Sequence, residues 1–321
     1  MRAEASDSRG GWVGHLAAAI VVLAVGLSLY YASRQIDYEW RWERVPHYLV
    51  ETGGTEIPAP FDGTVKFAPD GQSLTLTPLL GGGEPVTVAG FDRIEVSDGD
   101  IVFAGNTLGR EHGWSAGPLA IGLWMTLKIS LASLVFALIL GLVVGLGRVS
   151  RRVVSRDLAA LYVEVIRGTP LLVQIFIFYF FIGTVLSLSA FAAGVAALSV
   201  FTAAYIAEIV RGGIEAVPRG QTEAARSLGM SAFQAMRHVV LPQALRSTSP
   251  ALAGQFINLI KDSSLVSIMA LTDLTKAGRE VVSSTFSPFE VWFCVALLYL
   301  ALTGTLSFAV RRLERRLDRH D

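Results

Sequence analysis

Lysine is scarce in these 321 residues: Lys66, Lys128, Lys261 and Lys276 are the only four, and they follow Val, Leu, Ile and Thr. A P-loop cradles phosphate with glycine-rich backbone and a Gly-Lys-Ser/Thr step, so the chain cannot hydrolyse ATP by that route. Cysteine is scarcer still. Cys294 stands alone inside an apolar run, which excludes a disulfide framework. The five histidines, His15, His47, His112, His238 and His320, are too scattered for a zinc spacing. No metal site and no redox chemistry are expected. Charge is thin as well: 17% of residues are charged against 52% hydrophobic, with mean hydropathy +0.51. A soluble domain with one buried face is not apolar all round, so the chain reads as a polytopic membrane protein. The formal net charge of +0 points by itself to no charged partner, and no nucleic acid is expected as one.

What the sequence has in plenty is long apolar runs. Crossing a hydrocarbon core of roughly 30 Å takes about 20 mainly apolar residues in a helix. Six segments qualify: Trp12 to Ser33, Pro118 to Gly147, about Asp157 to Ser187, Ala190 to Val210, Ser249 to Leu271 and Glu290 to Val310. The first exceeds a signal-peptide core and no A-x-A site follows it, so it reads as a retained anchor. Residues 171 to 207 carry no charge, too long for one span, so a tight turn is expected near Ser187 to Ser189. Basic loops stay in the cytoplasm. With the N-terminus inside, the inner segments hold 17 of the 27 basic residues, the longer outer segments hold 8, and Lys128 and Lys261 lie within spans. The expectation is an all-α, six-span protein of a bacterial inner membrane, with both termini cytoplasmic and the lipid bilayer as its surroundings.

The organisation expected is a cytoplasmic N-terminus and anchor (1–33), an outer insert (34–117), a transmembrane domain (118–315) and a cytoplasmic tail (316–321). The insert has 13 acidic and 6 basic residues. Its alternating runs "TVKFA", "SLTLT", "PVTVA" and "RIEVS", separated by "PDG", "GGG" and "SDGD", predict a small β structure with tight turns. The opening "YEWRWERVPHYL" suits an interfacial helix with Trp40 and Trp42 at headgroup depth. The insert either meets a substrate-delivering partner or serves as a spacer.

Residues 212–247 contain a polar hairpin between apolar segments. Glu223 to Leu228 are good helix formers, and Gly229 can adopt the left-handed conformation that ends a helix. Ser231 with Gln234 three residues on is a capping box, and Pro242 is expected to stop the second helix before the next span. Phe233, Met236 and Val240 share one apolar face, while Arg226, Arg237 and His238 keep the rest polar. A helical cytoplasmic loop without further role is the plain alternative.

The order Glu223-Ala224-Ala225, then Gly229, then Leu241-Pro242 resembles the EAA loop, E-A-A-x3-G-x9-I-x-L-P, of permease subunits of ATP-binding cassette importers. Val239 stands where isoleucine is usual. With "TLKISLASLVFALILGLVVGLGRVSRR", "YVEVIRGTPLLVQIFIFYF", "AAYIAEIVRGGIEAVPRGQTEAARSLG" and "FINLIKDSSLVSIMALTDL", the chain is similar to the polar amino acid permease group over roughly residues 118 to 315. The first span and the insert lie outside that group's common five-span core. The resemblance implies a type I importer fold and a hairpin seated in a groove of a separate ATPase subunit, which binds and hydrolyses ATP with Mg. By position, Glu223, Ala224, Ala225, Gly229, Phe233 and Met236 would make the docking surface. A periplasmic amino-acid-binding protein and a second permease, identical or not, are the further partners implied. Glutamate, aspartate or glutamine is the substrate class favoured.

Polar side chains at membrane depth are costly and face a cavity or a partner. Gln255, Asn258 and Asp262 form a polar stripe at i, i+3, i+7 in the fifth span, with Lys261 beside it and Ser263 following. They would line a substrate path, or else Lys261 and Asp262 hold the bundle or a dimer together. Lys128 can snorkel outwards, and Thr126 and Ser130 can bond their own backbone. Glu208 with Arg211 reads as a structural i, i+3 pair, Arg167 as an interface anchor, Pro170 as a kink, and Gly141 and Gly145 as sites of close helix packing. The competing function is an ion-coupled secondary transporter. It would usually show an internal repeat, none is evident, and the hairpin would then have no purpose. A membrane-anchored sensor would need an output domain, for which "RRLERRLDRHD" is too short.

Overall fold

A computed structural model describes residues 7–36, 38–51, 55–68, 73–79, 84–111 and 113–317. They belong to two compact units, Met1–Trp42 and Glu43–Asp321. The first unit is built on helix α1 (Asp7–Gln35), whose Leu16–Gln35 portion is long and apolar enough to cross a membrane. The expected helix over "YEWRWERVPHYL" does not begin until Trp42. Before it, Tyr38 meets Trp40 edge-on at 5.4 Å and Trp40 stacks on Trp42 at 5.6 Å. Residues i and i+2 stack on an extended chain, not on a helix, where they point apart.

The second unit opens with a short helix, α2 (Val45–Leu49), and a set of short strands: β1 (Val50–Glu51), β2 (Thr55–Pro58), β3 (Gly63–Phe67), β4 (Ser73–Pro78), β5 (Val86–Ala89), β6 (Arg93–Ile94), β7 (Ile101–Val102), β8 (Thr107–Glu111) and β9 (Ser115–Ala116). They pair as β5-β4-β3-β7, β2-β8-β6 and β1-β9. Leu74, Leu76 and Leu108 are fully buried between them. The "SDGD" turn forms, with Gly99 at φ +87° and the Ser97 amide donating to the Asp100 carboxylate at 2.7 Å. The "PDG" and "GGG" turns lie outside the described residues, as does the end of the tail. β1 and β9 pair Val50 against Ala116, directly before the long helix that begins at Pro118.

Helices dominate the rest: α3 (Pro118–Arg148), α4 (Val153–Arg167), α5 (Leu171–Phe176), α6 (Gly183–Val185), α7 (Ala190–Ala216), α8 (Arg219–Ser227), α9 (Ala232–Ala235), α10 (Leu241–Asp262), α11 (Leu274–Thr285) and α12 (Pro288–Leu317). Among the described residues four helices are long and apolar enough to span, or five if α4 and the run from Leu171 to Val185 count as one span bent by 102°. The expected fifth span is not among the four, because α10 carries too many polar residues. The bend follows from Gly168-Thr169-Pro170: proline lacks an N–H and pushes its predecessor out of the helical region. The Gln174 amide stitches the break, donating to the Ile166 carbonyl and to Thr169 Oγ1, each at 2.8 Å. Ser187 takes a left-handed conformation (φ +50°) and the Ser189 hydroxyl caps α7, which makes the turn expected there.

The core is the α3–α7 seam. A Cβ on Gly141 would lie 2.5 Å from Ile206 Cγ2, and one on Gly145 would lie 2.9 Å from Val210 Cβ. Glycine at both positions lets the backbones approach, the small-residue packing that holds helices together where no hydrophobic effect drives them. α11, hidden within an outer segment in the sequence, is capped by Asp273, which accepts from the amides of Thr275 and Lys276. Thr126 does not bond its own backbone; its hydroxyl accepts from the Leu274 amide at 3.1 Å, tying α11 to α3.

Candidate functional site: the hairpin and the polar helix

Helix α8 ends as its sequence dictates. Gly229 sits at φ +84°, the Met230 amide donates to the Ala225 carbonyl at 3.2 Å, and the Gly229 amide donates to Arg226 at 3.1 Å, a Schellman closure. The next helix starts with the full capping box: the Gln234 amide donates to Ser231 Oγ at 3.2 Å and the Ser231 amide to Gln234 Oε1 at 2.8 Å. Glu223, Ala224 and Gly229 are exposed on this hairpin, and so are two large apolar side chains, Leu228 at 81% and Phe233 at 70%. These two apolar side chains on an otherwise polar knob make it a candidate contact surface.

Two of the residues assigned to docking turn inward instead. Ala225 is 4% exposed, inside the hairpin. Met236 is half-buried against the cluster that includes Val210, Ile214 and Val240. Both lie on the side of their helices that faces this chain, so they shape the hairpin rather than its outer surface.

Pro242 does not stop the second helix. Residues 236–240 form a π turn that joins α9 to α10 with helical backbone throughout. A proline inside a helix lacks its N–H and clashes with the carbonyl four residues earlier; the wider π turn ending just before Pro242 absorbs both. The consequence is one continuous helical run from the Ser231 cap to Asp262.

The far end of that run carries the polar stripe. Gln255 and Asp262 are half-buried, Asn258 and Lys261 are exposed, and Leu259 and Ile260 beside them are buried in the core. Neither Lys261 nor Asp262 forms an ion pair within the chain among the described residues. Ser263 departs from the expected lining: it is fully buried and its hydroxyl donates to the Ile260 carbonyl at 2.8 Å. The stripe therefore consists of Gln255, Asn258, Lys261 and Asp262.

Sequence reasoning missed two features that need tertiary structure. Glu208 is more than an i, i+3 partner of Arg211: Arg148 of α3 donates to it at 3.1 Å and Arg167 of α4 stands 3.8 Å away, stacked 5.1 Å from the Tyr205 ring. One carboxylate thus gathers three guanidinium groups from three helices. Arg211 also pairs with Glu215, and Glu215 opens into a cleft of about 1140 Å³ beneath the hairpin, lined by Arg151, Arg152, Arg219, Arg226 and Phe233. The signal in the sequence was arginine at the ends of three separate helices, which spacing along one helix does not reveal. No cluster of His, Cys, Asp or Glu fit to hold a metal ion occurs among the described residues.

Residues 137–319 match the binding-protein-dependent transport system inner membrane component family. The chain is 40% identical over 208 residues to the glutamine transport system permease protein GlnP of Escherichia coli (strain K12), covering 64% of this chain and 95% of that one. It is 43% identical over 199 residues to the probable glutamine ABC transporter permease protein GlnM of Bacillus subtilis (strain 168), covering 62% and 92%. Among solved structures, an amino acid ABC transporter with histidines is similar with TM-score 0.58 and 41% identity, covering 62% of this chain and 94% of that one. The matched stretch takes in the seam, the broken helix, the hairpin and the polar helix, and the chain belongs to the family of binding-protein-dependent inner membrane transport components, as an amino acid ABC transporter permease.

Proposed function

We propose that this permease imports a polar amino acid of the glutamine, glutamate and aspartate class, driven by ATP that a separate ATP-binding cassette subunit binds with Mg and hydrolyses. The glutamine permeases it resembles support the substrate class. The absence of a Gly-Lys step supports a separate ATPase. The ATPase seats on the exposed hairpin surface of Glu223, Ala224, Leu228, Gly229 and Phe233, shaped from within by Ala225 and Met236. The hairpin faces the cytoplasm with both termini, in keeping with the arginine-rich segments around it; the acidic insert faces the periplasm, where an amino-acid-binding protein delivers substrate.

The observation that carries this reading is the continuous helical run from Ser231 to Asp262. At about 1.5 Å per residue it is roughly 45 Å long and stays helical through Pro242 and the interior Pro250, so a push on the hairpin reaches the polar stripe through helix rather than through a loop. Gln255, Asn258, Lys261 and Asp262 offer donors, acceptors and both signs of charge to a zwitterion that would otherwise lose its hydrogen bonds in hydrocarbon. A second permease subunit, a copy or a relative, closes the path over the exposed side of the stripe.

The test is reconstitution in liposomes with the ATPase and the binding protein. Import is expected to require ATP; import that persists without ATP and the ATPase overturns the reading in favour of an ion-coupled carrier. Gly229→Trp forces a bulky residue into left-handed backbone at the docking surface. It is expected to abolish co-purification of the ATPase while membrane insertion continues, and unchanged co-purification refutes the docking role.

A further inference from the structure

Lys128 is the one lysine of α3, and no carboxylate of the described residues pairs with it. Its ammonium lies 5.9 Å from the centre of the Phe191 ring. A cation at membrane depth without a counter-ion is costly, and long basic side chains relieve that cost by reaching toward the headgroups. On a helix the side chains lean toward the N-terminus. From Lys128 that direction leads to Trp124, one turn away on the same side and 63% exposed. Exposed tryptophan gathers at the membrane–water boundary, so Trp124 marks the level Lys128 reaches for.

In the opposite direction the same side of α3 becomes one wall of a groove. Ala132, Phe136 and Val143 line it from α3, and Phe191 and Val195 from α7, around a space of about 680 Å³. Its lone polar lining residue is Ser199, whose hydroxyl is already donated to the carbonyls of Val195 and Ser133. With the Ser199 proton engaged and that side chain only 4% exposed, a guest meets an almost wholly apolar wall, which suits hydrocarbon. From Ala132 to Val143 the trough runs roughly 17 Å along the helix, close to the hydrocarbon depth of one leaflet, about half of 30 Å.

We propose that this groove holds an acyl chain of an anionic phospholipid whose headgroup phosphate pairs with Lys128. The order along one side of α3 is that of a lipid read from its headgroup inward: indole, cation, apolar trough. The charge selects the anionic headgroup, and the apolar lining selects a chain rather than a free phosphate. A protein occupant would bury the ammonium and have to bring its own carboxylate to that spot.

The test uses the full chain in nanodiscs and the tryptophan emission lost on Trp124→Phe, which isolates Trp124. Quenching of that emission by brominated phosphatidylglycerol is expected to exceed quenching by brominated phosphatidylcholine by about fivefold in apparent affinity, the worth of one basic side chain at an anionic surface. Lys128→Gln should erase the preference and Lys128→Arg should keep it, while Ala132→Phe, which fills the trough, should weaken quenching by both lipids. Equal quenching by the two lipids in the unaltered chain, or a preference that survives Lys128→Gln, overturns the proposal. So does efficient disulfide cross-linking, under an added oxidant, between Ala192→Cys and a cysteine introduced into a second permease subunit, which would place protein in the groove.

Discussion

Of the 27 residues of α7, fourteen are buried, whereas of the 22 in α10 only Ala244, Leu259 and Ile260 are. The two helices share a bundle but are held by opposite means. α7 is gripped along its length by α3 through glycine-backed contacts that leave no room for a methyl group. α10 has three fully buried residues, packs Leu241, Leu245, Leu252 and Phe256 half-buried against the core, and presents polar or small side chains on its remaining surface. Regions with few buried contacts are the ones that move at low cost, and well-packed seams are bistable at best. On the proposed reading, the contrast gives α3 and α7 the part of a frame and the helix from Ser231 to Asp262 the part of the transmitting rod. The Glu208 cluster stands where frame and hairpin meet, with Arg211 shared between Glu208 and Glu215 at the cleft.

The largest effect should come from breaking the rod while leaving both of its ends intact. Ala253→Pro lies between the hairpin and the stripe, in the interior of α10. A second interior proline three residues after Pro250 removes a further helix hydrogen bond and costs about 3 kcal/mol or more of local helix stability. The expected outcome is ATPase subunits that still co-purify and still hydrolyse ATP while amino acid import falls to background. Measuring ATP consumed per molecule imported checks this, and import at the normal ratio would show that the rod is not the transmitter.

Breaking the frame should act on stability instead. Gly141→Ala puts a Cβ 2.5 Å from Ile206 Cγ2 and 3.0 Å from the Ala203 carbonyl, neither of which is the free end of a flexible chain. Overpacking of that kind costs about 1–3 kcal/mol, visible as a lowered unfolding temperature of the purified protein. Glu208→Gln comes next. It leaves three guanidinium groups without their shared anion, and the loss of charge-assisted hydrogen bonds at a half-buried site should cost about 1–2 kcal/mol. Arg167→Gln should cost under about 0.5 kcal/mol, because Arg167 stands 3.8 Å from the carboxylate with its side chain 44% exposed. A comparable loss from both variants would mean that Arg167 is as firmly held as Arg148.

The frame was legible in the sequence and the rod was not, for physical reasons. Long uncharged runs report helices in lipid directly, and Gly141 and Gly145 four residues apart report close packing. The local stops at Gly229, Ser231 and Ser187–Ser189 were equally plain, since each depends on one residue's own conformational preference. Pro242 misled because proline's effect on a helix depends on what the preceding turn can absorb, and a π turn leaves no mark in composition. Ala225 and Ser263 misled because helical periodicity fixes which residues share a side but not which side the bundle covers. α11 was hidden because its exposed Arg279 and Glu280 gave the segment the look of a loop, while Leu274, Ala277, Gly278 and Val281 are buried. The convergence of Arg148 and Arg167 on Glu208 joins residues from separate helices and has no signature along the chain.

The smallest effect is also the sharpest comparison, because it repeats the frame substitution on the rod. At Gly254 an added Cβ meets nothing within 4 Å, and the residue lies in the interior of α10. Alanine is the better helix former there by roughly 0.5–1 kcal/mol, since glycine loses more backbone freedom on folding. Gly254→Ala should therefore raise the unfolding temperature slightly, where Gly141→Ala lowers it. The sign, not the size, decides the matter: the same methyl group added to two helices of one bundle tests whether the space beside each is filled. If Gly254→Ala destabilises the assembled importer while stabilising the isolated chain, the open space beside α10 is occupied in the assembly.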